Sequence, residues 1–317
     1  MSFKIYENGE DGSITVEGLG FYDLKDTFEC GQCFRYEELE YDGRKRKYVI
    51  VIDGLLLRVE QEERGSLTFS GISRKDFEEK LMPYFALERD LEKIREDINS
   101  KTRSEWLKEA SNGAKGIAIL KQNPWECLFS FIVSQNNNIP RIRKILREVC
   151  AQYGVNLALH SSGDNKCPLS KISGAPCEEI CKKCGVCYTF PTPEDILKNP
   201  EGLLPSKPGF RYGYLLDAAK KVASGEVNLS DIEEKGSYAY TLQELKKIKG
   251  VGDKVASCVA LFAFSNLDAF PIDVWMRRAI DTYFDGELDP TSLGEYAGIA
   301  QQYIFHKIRN IENNKKN

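Results

Sequence analysis

The sequence has no run of about 18 apolar residues, so no membrane-spanning helix is expected. Its first residues, Met1–Gly12, have no apolar stretch of the kind a secretory leader carries, and an intracellular chain is expected. No internal repeat and no long low-complexity segment occurs. Positive charge is also not in excess: 44 Lys and Arg stand against 48 Asp and Glu, a net charge of −4. That balance weighs against binding nucleic acid by overall charge, although phosphate contact needs only a few cations on one face.

What is present is ordinary for a globular protein. The chain has 317 residues, 42% hydrophobic and 29% charged, enough for two or three domains with a sizeable core. Basic residues cluster at Arg141, Arg143, Lys144 and Arg147, at Lys246, Lys247 and Lys249, and at His306, Lys307 and Arg309. For any single cluster a solvated helix face is the plainer reading. Of ten cysteines, five lie between Cys167 and Cys187. In an intracellular chain these do not suggest a disulfide framework.

The pattern changes along the chain. Residues 1–87 read as an antiparallel sheet domain. Ser13–Leu19 and Leu67–Ile72 alternate, and Tyr48–Glu60 is rich in Val, Ile and Leu and turns at Asp53-Gly54. Residues 88–317 read as helical, with apolar spacings of three and four over 125–133, 141–153, 214–222, 242–248, 254–264, 274–284 and 293–308. The fold class is α+β, a sheet domain followed by a larger helical region. The stretch 155–188, rich in Ser, Gly, Pro and Cys, reads as an insertion.

The most informative motif is Leu245–Ala256. A helix ends at Gly250-Val251-Gly252 and a second begins at once. Glycines permit the tight turn, and the new helix presents N–H groups suited to a phosphate. This is a helix-hairpin-helix, which holds a DNA strand without reading its bases. Lys254 falls in the first turn of the second helix. The positive end of the helix dipole disfavours a charged lysine there and favours the neutral amine, which a nucleophile needs. Another phosphate-binding lysine is the plainer reading. Asp273 follows nineteen residues later, after Pro271, and is placed to cap a helix. It is either a cap only, or also a carboxylate able to stabilise a cationic sugar.

These residues resemble the helix-hairpin-helix DNA glycosylases, in which a lysine at the position of Lys254 marks the bifunctional members. Three more stretches are similar to the 8-oxoguanine DNA glycosylase/AP lyase family: Cys30–Tyr36 with its Gly31-Gln32, Asn123–Ile139 with Asn136-Asn137-Asn138, and Tyr296–Phe305. The resemblance covers nearly the whole chain except 155–188. It implies a DNA repair enzyme that excises 8-oxoguanine from duplex DNA by base flipping, a lysine Schiff base and β-elimination. The catalytic residues are then Lys254 and Asp273. The base pocket is then Gly31, Cys258, Gln301 and Phe305, with the base between Cys258 and Phe305, Gln301 on its Watson–Crick edge and the Gly31 carbonyl on N7–H. DNA contacts would come from Asn136, Arg141, Phe210, Arg211, Gly250, Gly252 and Trp275. By the same resemblance Asn136 would fill the gap and Arg141 and Arg211 would meet the opposite base, while Phe210 stands where the family often has a tyrosine wedge. Trp275 departs from the family, where some members carry a phosphate-contacting histidine.

The resemblance further implies a monomer without membrane partners, no cofactor for catalysis, and a cation held by hairpin carbonyls. Separately, Cys177, Cys181, Cys184 and Cys187 have spacings that suit structural zinc or an iron–sulfur cluster. A loop of free thiols is the alternative. Two rival functions stay open: a non-catalytic DNA clamp, which would need neither Lys254 nor Asp273, and a glycosylase for alkylated purines, whose members usually lack the lysine.

Overall fold

The structure is a computed structural model and describes residues 3–9, 11–41, 43–158 and 186–314. Six strands form one antiparallel sheet: β1 (Lys4–Glu7), β2 (Ile14–Glu17), β3 (Tyr36–Tyr41), β4 (Arg46–Ile52), β5 (Leu55–Gln61) and β6 (Ser66–Ser70), in the order β1-β2-β6-β5-β4-β3. Asp53 and Gly54 both take positive φ (45° and 78°), the two-residue turn whose twist matches a hairpin, so β4 and β5 pair without a loop between them. Period-two alternation puts Ile14, Val16, Tyr48, Ile50, Val59, Leu67 and Phe69 on one face. There they pack on Leu24 and Phe28 of α1 (Leu24–Glu29) and on Phe77, Leu81 and Phe85 of an irregular helical run. On the other face Val49 is covered by Val186 and Cys187, where the chain returns from the insertion. β1 and β3 carry no clear alternation and were not expected from the sequence.

The rest is helical: α2 (Leu91–Lys101), α3 (Glu105–Gly113), α4 (Pro124–Ser134), α5 (Ile139–Tyr153), α6 (Pro193–Lys198), α7 (Tyr212–Ala223), α8 (Leu229–Lys235), α9 (Tyr238–Leu245), α10 (Asp253–Ala263), α11 (Val274–Tyr283) and α12 (Ala297–Asn314). In α10 every residue from Val255 to Ala263 is buried. A helix apolar on all sides belongs at the centre of a bundle, and α10 is clasped there by α4 and α9. Phe131 of α4 stacks on Phe262 of α10, with centroids 5.4 Å apart. Among the described residues no helix is long and apolar enough to cross a membrane.

The two parts interpenetrate at the boundary drawn near residue 87. Ala118 and Leu120 return to the sheet core, while Cys30 and Phe34 enter the helical core. Gln32 is the staple. Its side-chain amide donates to the carbonyls of Thr27 and Ala118 (both 2.8 Å) and accepts from Leu120 N (2.9 Å). Its own carbonyl accepts from the Gln122 amide at 2.7 Å. A buried amide so fully satisfied rigidifies whatever carries it, and here that is the loop bearing Gly31. Behind it, Arg35 pairs with Glu126 of α4 at 2.8 Å and donates to the carbonyl of Tyr188.

Candidate active site

A cavity of about 390 Å³ opens where α4, α10, α11 and α12 meet the Gly31 loop. Its lining contains Lys254, Asp273, Gly31, Cys258, Gln301, Phe305 and Trp275. Residues expected to be catalytic or to hold a base thus share one pocket, although they span the sequence from 31 to 305.

Lys254 is half-buried in the first turn of α10. Its Nζ lies 3.5 Å from Ser134 Oγ and 5.4 Å from the centroid of the Phe131 ring. The Ser134 hydroxyl donates to the Phe131 carbonyl (2.8 Å), so its lone pairs are turned to the amine. Asp273 caps α11, its Oδ1 accepting from Met276 N at 2.8 Å. Its second oxygen is not used by the cap. Lys254 and Asp273 therefore stand on two helix N-termini that converge on one cavity. That arrangement favours negative charge developing inside it.

The walls suit a flat heterocycle. Cys258, one turn after Lys254, is buried, and burial pushes its thiol above the ordinary range, with Lys254 opposing and Asp273 adding to the rise. It is a neutral, polarisable surface. On the other side Phe305 is held against Gly31. Gly31 has φ of 85°, and a Cβ placed on it would lie 3.4 Å from Phe305 Cε1. Gln301 is buried, and Gln302 donates to its Oε1 at 2.7 Å, which fixes the orientation of the Gln301 amide.

The DNA-facing expectations resolve into distinct positions. Gly250 has φ of 81° and lies directly on the Tyr214 ring, where a Cβ would come within 2.3 Å of Tyr214 Cδ2. Gly252 precedes α10 with no side-chain cap, so the helix's first N–H groups stay available for an anion. Phe210 is 57% exposed and meets Tyr214 edge-on, with centroids 6.0 Å apart. The hairpin and the wedge candidate thus share Tyr214 as a support. Trp275 sits at the pocket rim with Arg278 over its ring at 5.1 Å.

The three asparagines separate. Asn138 caps α5 by accepting from Arg141 N (3.0 Å), and Asn137 donates to the Val133 carbonyl (3.0 Å). Asn136, exposed like Asn138, lies in a left-handed turn with φ of 46°. Arg141 is exposed and donates to the Lys207 carbonyl at 3.2 Å. Arg211 packs against the turn that carries Asn136: its guanidinium is buried and donates to the carbonyls of Gln135, Asn136 and Pro208. Burial, then the neighbouring charge of Arg141, push it below its ordinary pKa.

Several contributors escaped the sequence reading. Ser134 and Gln302 act through side-chain contacts that no spacing announces. Arg309 lines the pocket as well, and this had a signal: 301, 305 and 309 repeat at i, i+4, i+8 on one helix face. Two members of the first basic cluster serve structure, since Arg143 and Arg147 both pair with Glu37 of β3. Lys246 and Lys247 pair with Asp253 and Glu244. Of the cysteine cluster, Cys177, Cys181 and Cys184 lie outside the described residues. Cys187 is buried beside Val49, and the described residues contain no group of three or more His, Cys, Asp or Glu that could hold a metal ion.

Residues 18–128 match the family described as "8-oxoguanine DNA glycosylase, N-terminal domain". The chain is similar to the N-glycosylase/DNA lyase of Saccharomyces cerevisiae, 29% identical over 283 residues, covering 80% of this chain and 66% of that one. Among solved structures it is similar to MBOgg1 in complex with a low-affinity DNA ligand, at 34% identity and a TM-score of 0.82, covering 98% of this chain and all (100%) of that one. It is also similar to the Clostridium acetobutylicum 8-oxoguanine glycosylase/lyase, in complex with DNA containing cytosine opposite 8-oxoG. That likeness is 30% identical with a TM-score of 0.81, over 99% of this chain and 100% of the other.

Proposed function

This chain belongs to the 8-oxoguanine DNA glycosylase/lyase family, and from that premise we propose that its pocket receives one oxidised guanine turned out of the duplex. It is a bifunctional DNA glycosylase and AP lyase that excises 8-oxoguanine in base excision repair. Its partner is double-stranded DNA, so it works where the cell's DNA is. The observation that carries the reading is the convergence of Lys254 and Asp273, from two helix N-termini, on a cavity walled by Cys258 and Phe305.

A glycosidic bond is out of reach inside a stacked duplex, so the nucleotide is extruded first. Phe210 enters the base stack from the protein surface, and Asn136 occupies the space the base leaves. The base slides between Cys258 and Phe305, with Gln301 on its Watson–Crick edge and the Gly31 carbonyl accepting from N7–H. Guanine has no hydrogen at N7, so the same carbonyl repels it.

Neutral Lys254 Nζ then attacks C1′. The C1′–N9 bond breaks, its electron pair leaves with the base, and the base takes up a proton. Asp273 stabilises the positive charge on the sugar as the bond lengthens. Ring opening yields an imine between Lys254 and C1′, and loss of a proton from C2′ expels the 3′ phosphate by β-elimination. The hairpin glycines and the start of α10 hold the backbone during these steps.

Borohydride trapping tests the assignment. A covalent adduct should form on a duplex with 8-oxoguanine opposite cytosine, but not on the guanine duplex. Lys254→Gln should abolish adduct, excision and nicking while retaining binding. An adduct that persists in Lys254→Gln would remove Lys254 as nucleophile.

The spacing of Cys177, Cys181, Cys184 and Cys187 supports a structural zinc or iron–sulfur site in the insertion. Elemental analysis of protein purified without added metal should find close to one zinc or one cluster per chain. Only trace metal would refute it.

A further inference from the structure

We infer that Arg309 is a specificity residue that donates a hydrogen bond to O8 of the damaged base. This rests on the reading of the pocket as an 8-oxoguanine site. Arg309 stands on α12 two turns beyond Gln301 and one beyond Phe305, and it lines the cavity. Its Nη1 donates to the carbonyl of Glu29 at 2.9 Å. The same nitrogen lies 3.8 Å from where a Cβ on Gly31 would be, and the guanidinium carbon is 5.4 Å from the Phe305 centroid. Among the described residues it makes no ion pair with a carboxylate, Glu29 being paired with Lys25 instead.

An arginine has five N–H donors, and one bond to Glu29 leaves the others for the pocket. A half-buried cation without a counter-charge is costly unless something it binds supplies electron density. The position selects which atom. Gln301 and Arg309 are eight residues apart on one helix, about 12 Å along its axis, with Phe305 between them. A base that stacks on Phe305 and presents its Watson–Crick edge to Gln301 turns its imidazole side towards Arg309. Gly31 sits beside Arg309, so the N7–H that Gly31 accepts and the adjacent O8 arrive together. O6 is on the Gln301 side of N7. Arg309 and Gly31 then read two neighbouring atoms, an acceptor and a donor, and guanine offers neither in that form.

The test uses full-length Lys254→Gln protein, which binds without cutting. Its Kd is measured with and without Arg309→Met, a change that keeps the side-chain stem. Four duplexes are compared, carrying 8-oxoguanine, 8-thioguanine, guanine or a tetrahydrofuran abasic analogue, each opposite cytosine. Arg309→Met should weaken 8-oxoguanine binding by about ten- to hundredfold, the range for a hydrogen bond from a charged donor. Binding to the abasic and guanine duplexes should not change, which also shows the variant is folded. On 8-thioguanine, which keeps N7–H and O6 but offers sulfur, a weaker acceptor, the loss should be much smaller.

An equal loss on all four duplexes would make Arg309 a backbone-phosphate contact and overturn the inference. So would an undiminished loss on 8-thioguanine, or no loss anywhere. If the parent protein does not prefer 8-oxoguanine to guanine, the reading of the pocket fails instead, before Arg309 is reached.

Discussion

Gly31 and Phe305 pack against each other on one side of the base pocket, where a methyl added to Gly31 would stand 3.4 Å from the ring. The glycine also has φ of 85°, a conformation that costs an L-residue about 1–2 kcal/mol. Gly31→Ala should therefore lower stability by about that amount. It should slow 8-oxoguanine excision by about ten- to hundredfold, because relief of the backbone strain shifts the Gly31 carbonyl relative to the base. Cleavage of a ready-made abasic site needs no base between the walls and should be largely retained. Single-turnover assays on both substrates, with a thermal melt, check this. Equal loss on both would assign Gly31 to the backbone alone.

Asp273 has two jobs that substitution can separate. Asparagine is as good a helix cap as aspartate, so Asp273→Asn should leave stability nearly unchanged. Asp273→Ala should cost about 1 kcal/mol. Both should reduce excision by about a hundredfold or more, the scale for losing a preorganised charge stabiliser. Denaturant melts beside single-turnover rates test the pair. If Asp273→Asn keeps full activity, the cap is the whole role.

Arg211 holds the turn that presents Asn136, donating to the Asn136 carbonyl at 2.9 Å. Arg211→Met should destabilise the protein by about 2 kcal/mol, since hydrogen bonds from a charged donor are lost from buried carbonyls. Hydrogen exchange should rise at residues 135–138. Lesion binding should weaken by the same factor whichever base is opposite. A loss that depends on the opposite base, without a stability change, would instead place Arg211 on that base.

Cys258 should behave as a wall and not as a reactive thiol. Burial raises its pKa, and only the thiolate is alkylated. A raised pKa means that the thiolate fraction grows only as pH climbs beyond the usual thiol range. Iodoacetamide labelling of the Cys258 peptide, followed by mass spectrometry, should be slow at pH 8 and quicken at higher pH. A bound abasic duplex should leave that slow rate unchanged. Fast labelling at pH 8 would mean an exposed thiolate unsuited to stacking on a neutral base.

Much of the helical region was legible because its helices bury an apolar stripe, which leaves a spacing of three and four. The hairpin at 248–252 was legible because Gly250 and Gly252 permit a tight turn between two stretches of helical apolar spacing. β1 and β3 were not, because short edge strands bury too few side chains to alternate. α10 stops at Ala263, well before Pro271. The intervening segment turns at Ser265, whose φ is 56°, and Asn266 donates to the Gly236 carbonyl at 2.7 Å. Those backbone choices answer to neighbours far along the chain.

By itself the sequence determined the chemistry available: a lysine in the first turn of a helix after a glycine hairpin, and a carboxylate placed to cap the next helix. Both are local facts, because helix starts and caps are decided by adjacent residues. The tertiary structure decided who meets whom. Gly31 reaches Phe305 only because Gln32 pins its loop to the chain at 118–122. Arg211 is turned from the open surface onto the Gln135 and Asn136 carbonyls, and Arg309 from a solvated face into the pocket. Packing of distant elements sets those encounters, and no local pattern in the chain encodes them.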